Sequence, residues 1–144
     1  MAKLSGQYLK VLIDDDADTP QDVSTDVESV DIPDEYGELD VTGFMDGVVN
    51  SIAGMPSMPI EINGHFDPSS DSLFDIAKGA AGGGSRTITI QVGQGAAPTA
   101  GDPQFEGEFW CQKVSISATP QGKLNVATSW RPYGSTAPAW GTVS

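Results

Sequence analysis

Apolar and polar side chains alternate with a period of two through most of this chain, and that pattern commits it to β structure. The alternation is clearest where Ile88, Ile90 and Val92 interleave with Thr87, Thr89 and Gln91, a strand with one face buried and one in water. Leu9, Val11 and Ile13 alternate with Tyr8, Lys10 and Leu12; Met58, Ile60 and Ile62 alternate with Pro59, Glu61 and Asn63. Leu124, Val126, Thr128 and Trp130 repeat the pattern late in the chain, and residues 27–32 read as a shorter strand with mixed faces. Between residues 104 and 118 the parity changes: Phe105, Phe109 and Cys111 are odd, whereas Val114, Ile116 and Ala118 are even. A β-bulge produces such a change, at Gly107 or in the Cys111–Lys113 stretch, unless both faces are covered there. Pro120-Gln121-Gly122 then turns the chain, which makes residues 109–130 a hairpin.

One segment has helical character. Ser69, Ser70 or Asp71 offers a cap for residues 71–79, with Leu73, Phe74, Ile76 and Ala77 as the apolar stripe. Lys78 suits the negative end of the helix dipole, and Gly79 or the Gly82-Gly83-Gly84 run ends the helix. A second, weaker helical turn is expected at 45–53. With about six to eight strands and one helix, the fold class is mainly β, an antiparallel β-sandwich or partly open barrel with one flanking α-helix.

The chain has 144 residues, the size of one domain. A single cysteine, Cys111, excludes an intrachain disulfide, so packing or association must hold the fold. No apolar run approaches the ~18 residues that span a bilayer, and Met1–Gly6 lacks the apolar stretch of a secretory signal. A soluble protein made in the cytoplasm, with no membrane partner, is the expectation. The formal net charge is −13 and it is lopsided. Seventeen acids stand against Lys3 and Lys10 in residues 1–75, whereas residues 76–144 set three acids against five cations. Nucleic-acid binding needs clustered cations to replace condensed counterions, and this chain has none.

Residues with catalytic or metal-binding chemistry lack the partners that chemistry needs. Asp14, Asp16 and Asp18 have the first, third and fifth spacing of a calcium loop, but Thr19 and Thr25 stand where Gly and Glu are required. A solvated turn over Asp14–Pro20 explains them. His65 is the only histidine, and Cys111 sits in an apolar strand pattern with no sign of activation. Gly82–Arg86 precedes a strand, whereas phosphate loops precede helices. Glu106 and Glu108 lie about 7 Å apart by strand rise, within the range of a glycosidase dyad, but no sugar platform accompanies them. No catalytic, cofactor or metal site is expected, and the protein reads as no enzyme.

From residue 26 the order of short motifs resembles one family. Asp26-Val27-Glu28-Ser29-Val30-Asp31-Ile32 is followed by Leu39-Asp40-Val41-Thr42-Gly43-Phe44-Met45-Asp46-Gly47, and then by Ile60-Glu61-Ile62-Asn63-Gly64-His65-Phe66-Asp67. This succession is similar to that of bacteriophage tail tube (major tail) proteins. It continues through Gly101–Glu108, Val114–Ser117 and Ala127–Trp130, covering most of residues 5–134. His65 departs from the pattern, where a polar residue such as Asn is expected. So does the Gly-, Pro- and Trp-containing tail.

The resemblance implies a virion structural protein whose β-sandwich domain, residues 1–134, joins edge to edge into hexameric rings. The rings stack into a tube through which DNA passes without specific binding. Implied partners are other copies of the chain and tail proteins such as the tape measure and tail terminator; no cofactor is implied. Sandwich edges are hazards unless paired, and ring closure pairs them. Within 34–58, Val48, Val49, Ile52, Met55 and Met58 offer apolar surface to a neighbour, the alternative being a core-packing excursion. The tail, 135–144, carries Trp140 and is expected to dock on a neighbouring subunit. Glu61, Glu106 and Glu108 are the candidates to face the lumen, where carboxylates repel the duplex; the alternative places them on an outer solvated face. A capsid decoration protein of similar fold and a soluble β-sandwich binding module remain open as other readings.

Overall fold

A computed structural model describes residues 8–33, 35–94, 96–134 and 138–144 of the chain. The N-terminal segment Met1–Gly6 and residues 135–137 of the tail lie outside the described residues. Ten strands and one helix follow in order: β1 Leu9–Asp14, β2 Pro20–Asp22, β3 Val27–Asp31, β4 Glu35–Asp40, β5 Ser51–Ser57, β6 Ile60–His65, α1 Leu73–Ala80, β7 Arg86–Val92, β8 Pro103–Ser117, β9 Asn125–Pro132 and β10 Ala139–Thr142. Eight strands form one antiparallel sheet in the order β2-β1-β7-β8-β9-β6-β3, with β10 also paired to β8. Its two ends do not join, so the mainly β, sandwich-like architecture is open. β4 and β5 stand apart as a two-stranded hairpin.

The long β8 strand divides the sheet into two layers. Its first half pairs with β7, from Gln104 opposite Gln91 to Phe109 opposite Arg86. Its second half pairs with β9 as far as Ser117 opposite Asn125. The register shifts between Cys111 and Lys113, the second of the two bulge positions that the parity change allows. That bulge turns the strand's inward face from odd to even residues. Inward side chains of the first layer (Val11, Ile13, Ile88, Ile90, Phe105, Phe109) meet those of the second (Ile60, Ile62, Trp130) in one core. The outward faces of the two layers therefore look away from each other.

The helix closes one end of this core with Leu73, Ile76, Ala77 and Ala80. It begins later than expected, because Ser72 is the cap. The Ser72 hydroxyl accepts from the Asp75 amide at 3.3 Å and donates to the Asp67 carbonyl at 2.7 Å, which Ser69, Ser70 and Asp71 do not match. Phe74 lies to the side of the buried stripe, against Phe66 at 4.7 Å. A second helical turn at 45–53 does not form. Ser51–Ser57 is strand, paired in β5 with β4, since the Gly54 and Pro56 positions disfavour helix and the partner strand lies close by.

Two inward polar groups hold the second layer together. The Thr128 hydroxyl donates to the Ile62 carbonyl at 2.8 Å and accepts from the Trp130 indole N–H at 2.9 Å. All three residues are essentially fully buried, so the indole could be sunk in the core only with this partner.

Candidate assembly surfaces

The β4–β5 hairpin has no core of its own. Every residue of β4 is exposed, yet nine of the thirteen large apolar side chains exposed among the described residues belong to the hairpin and its tip. Phe44 and Met45 at the tip are fully exposed, at 104% and 102%. Val48, Val49, Ile52 and Met55, singled out from the sequence, are exposed as well. Met58 is not: it is 7% exposed and belongs to the subunit's own core, just ahead of β6. It is withdrawn from the candidate contacts, because the core begins where the hairpin returns to the sheet.

The tip is ordered by its own polar groups. Asp46 accepts from the Gly43 amide at 2.7 Å and from the Asn50 side chain at 3.0 Å, while Asp40 accepts from the Thr42 amide at 2.8 Å. These bonds hold the Asp46 and Asp40 carboxyls below their ordinary value. Leu39 and Ile52 face each other across the strands, on the opposite side from Glu38 and Asp40. At Glu38–Asp40 the arm thus has an apolar side, with Leu39 against Ile52, and an acidic side.

The first layer's outward face is acidic. Its rows run Asp14–Thr87–Glu108 and Asp22–Leu12–Thr89–Glu106, followed by Lys10–Gln91–Gln104. Four carboxylates therefore stand there against one ammonium. Thr87 donates to Glu108, and Thr89 donates to Glu106 at 3.2 Å. Partial burial raises the Asp14 carboxyl above its ordinary value; the Thr87 hydrogen bond opposes this and the Glu108 charge adds to it. Glu61 is not brought together with this pair. It lies on β6, in the row Asp31–Glu61–Ser129–Lys113 of the second layer, on the opposite outward face.

Sequence reasoning missed the cations of that second face. Arg131 stands opposite Trp110 and Lys113 opposite Ser129, on either side of the bulge, and both are exposed. Arg131 Nε donates to Gln112 Oε1 at 2.7 Å. The signal was the parity change itself, which places Lys113 on the outward side with Arg131.

Residues 139–142 pair with their own chain. β10 pairs with the start of β8, and the Trp140 ring packs at a tilt against Phe105, centroids 5.3 Å apart, while remaining 52% exposed. Gly107 is where the tail crosses β8, since a Cβ there would lie 2.6 Å from Pro138.

The residues considered for chemistry stay apart. Cys111 is buried at the level of Trp130 and Ile60, while His65 is exposed at the far end of β6, opposite Asn125. Burial pushes the Cys111 thiol up, and it donates to the Lys113 carbonyl at 3.6 Å. In the Asp14–Pro20 turn the organising residue is Asp15, whose carboxylate accepts from the Ala17 and Thr19 amides at 2.9 and 3.0 Å. Among the described residues no three or more His, Cys, Asp or Glu side chains are placed to hold a metal, and no helix is long and apolar enough to cross a membrane.

No family model and no curated protein sequence matches the chain. Solved structures do. A chain of the SPP1 tail tube is 12% identical with a TM-score of 0.75, covering 98% of this chain and 80% of that one. A chain of the tail of an empty gene transfer agent particle, refined with C6 symmetry, is 14% identical with a TM-score of 0.71, covering 99% and 100%. A chain of the sheath-tube complex of an extracellular contractile injection system, PVC, is 16% identical with a TM-score of 0.65, covering 95% and 90%. At these identities the likeness is one of fold, and that fold, over nearly the whole length of this chain, is the one found in the tubes of tails and contractile injection systems.

Proposed function

We propose that the protein is a virion structural subunit that assembles through its hairpin and sheet margins into stacked rings, forming a phage tail tube for DNA passage. The observation that carries this reading is the β4–β5 hairpin, an ordered arm whose apolar side chains find no cover in the subunit that bears them. A second copy supplies that cover. Six subunits per ring is the number favoured, because a tail of the same fold was refined with C6 symmetry. Neighbours of this fold that occur in sheath-tube, terminator and cap assemblies support further tail proteins as partners, among them a tail terminator and a tape measure.

The first layer's outward face lines the bore in this reading, with Glu106, Glu108 and Asp14 toward the axis. DNA carries a charge about every 1.7 Å of its length, so a basic wall would hold it at many points. A carboxylate wall repels it within a Debye length of about 8 Å and leaves it free to slide. Glu61, on the opposite face with Lys113 and Arg131, points away from the bore in this arrangement.

Sedimentation of the purified protein over a concentration series tests the reading. Wild type is expected to pass from small species to rings and tubes, and Phe44→Ser with Val48→Ser to stay monomeric with an unchanged circular dichroism spectrum. A wild type that stays monomeric at every concentration, or trimers that bind only to capsids, would overturn it.

A further inference from the structure

The second layer has two margins, and they are not alike in charge. One is β3, which pairs only with β6 and leads directly into the hairpin. The other is the free side of β8 beyond the bulge. There β7 pairing ends at Phe109 and a single bridge from Ala81 reaches Cys111, so among the described residues nothing pairs with 112–117 on that side. β3 runs antiparallel to β8, because each strand from β8 through β9 and β6 to β3 reverses direction. A head-to-tail contact between copies therefore sets the two margins side by side in an allowed antiparallel sense.

That contact also sets opposite charges side by side. Asp31, the last residue of β3, lies in the same row as Lys113, and Arg131 lies just beyond it on β9. Past Asp31 the chain continues into β4 with exposed Glu35, Glu38 and Asp40. Among the described residues the one ion pair joins Lys123 to Glu28 at 2.8 Å, so among those residues no carboxylate lies within pairing distance of Lys113 or Arg131. The nearest acid in the Lys113 row, Glu61, lies beyond Ser129, about 10 Å away across two strand spacings.

We propose that Lys113 and Arg131, at the β8–β9 bulge, are the seat for the acidic strand Glu35–Asp40 of a second copy, whose β3 margin lies against the free margin of β8. This rests on the tube reading and identifies where the hairpin of one subunit meets the next. The seat selects a partner by charge: a chain of net charge −13 repels its own copies unless cations meet acids at the contact. Tyr36 on the same strand and Trp110 beside Arg131 add aromatic surface to the pairing.

Two charge-reversed variants test the seat. One carries Lys113→Glu and Arg131→Glu, the other Asp31→Lys and Glu38→Lys; all four side chains are exposed, so the fold is retained, as circular dichroism will verify. Each variant alone is expected to raise the concentration needed for assembly about tenfold or more. An equimolar mixture is expected to assemble near the wild-type concentration, because each contact in an alternating ring then joins unlike charges. Assembly of either variant alone at the wild-type concentration, or failure of the mixture, overturns the seat and leaves the tube reading standing. Failure of wild type itself to assemble removes the tube reading, and the seat with it.

Discussion

Thr128→Val removes one hydroxyl from the core and leaves the side chain's shape unchanged, so its cost is the cost of the hydrogen bonds alone. The hydroxyl accepts from Trp130 Nε1 and donates to the Ile62 carbonyl, and both bonds are buried. Losing the bond to Ile62 costs about 0.5–1.5 kcal/mol, and leaving the indole N–H unpaired costs about 1–3 kcal/mol more. A total of about 1.5–4.5 kcal/mol follows, or a fall of about 4–14 °C in Tm for a domain of this size. In a Trp130→Phe background there is no N–H to strand, so Thr128→Val costs only about 0.5–1.5 kcal/mol there. Urea unfolding followed by far-ultraviolet circular dichroism, at one fixed dilute concentration because association shifts apparent stability, measures all four chains. Equal costs of Thr128→Val in the two backgrounds would refute the indole's dependence on this hydroxyl.

Three further outcomes follow from the geometry. Gly64→Ala is expected to destabilise by about 1–3 kcal/mol or more, because a Cβ there would lie 1.9 Å from the Asp26 carbonyl oxygen and force β3 away from β6; thermal melting measures it. Hydrogen bonds hold Asp15, Asp40, Asp46 and Asp67 below the ordinary value of 3.8, so their contribution is present above that value and is lost as pH falls through the depressed folded values. Asp14, raised by burial, acts in the opposite sense but is one group against five, since the Lys123 hydrogen bond lowers Glu28 as well; a urea midpoint that rises below pH 3.8 contradicts this balance. Cys111 is expected to react with an aromatic disulfide reagent only at the rate of unfolding, since its thiol is buried and pushed up; fast labelling of the native protein contradicts that.

What the sequence made legible was whatever burial writes into it. β1, β6, β7 and β9 each place one face in the core, and their alternation marks them within a residue or two. The bulge was visible as a parity change, though only the pairing of Lys113 with Ser129 decides its position. The hairpin was misread in its second strand because Ser51, Ile52, Ala53, Met55 and Ser57 are all exposed in the subunit, and an unburied strand carries no period-two code. β2, three residues beside a turn, left too short a pattern to see. Capping chemistry pointed to Ser69, Ser70 or Asp71, and the cap is instead Ser72, whose hydroxyl is also held by the Asp67 carbonyl five residues earlier. Separating Glu61 from Glu106 and Glu108 required knowing that β8 belongs to both layers, which no local signal states.

A reconstruction of the assembled protein by electron cryomicroscopy tests the central claim most directly. The account predicts a hollow tube with the Glu106 and Glu108 face toward the axis and each hairpin covered by a neighbouring subunit. A tube whose bore is lined by Lys113 and Arg131, or whose hairpins stand free in solvent, would contradict it.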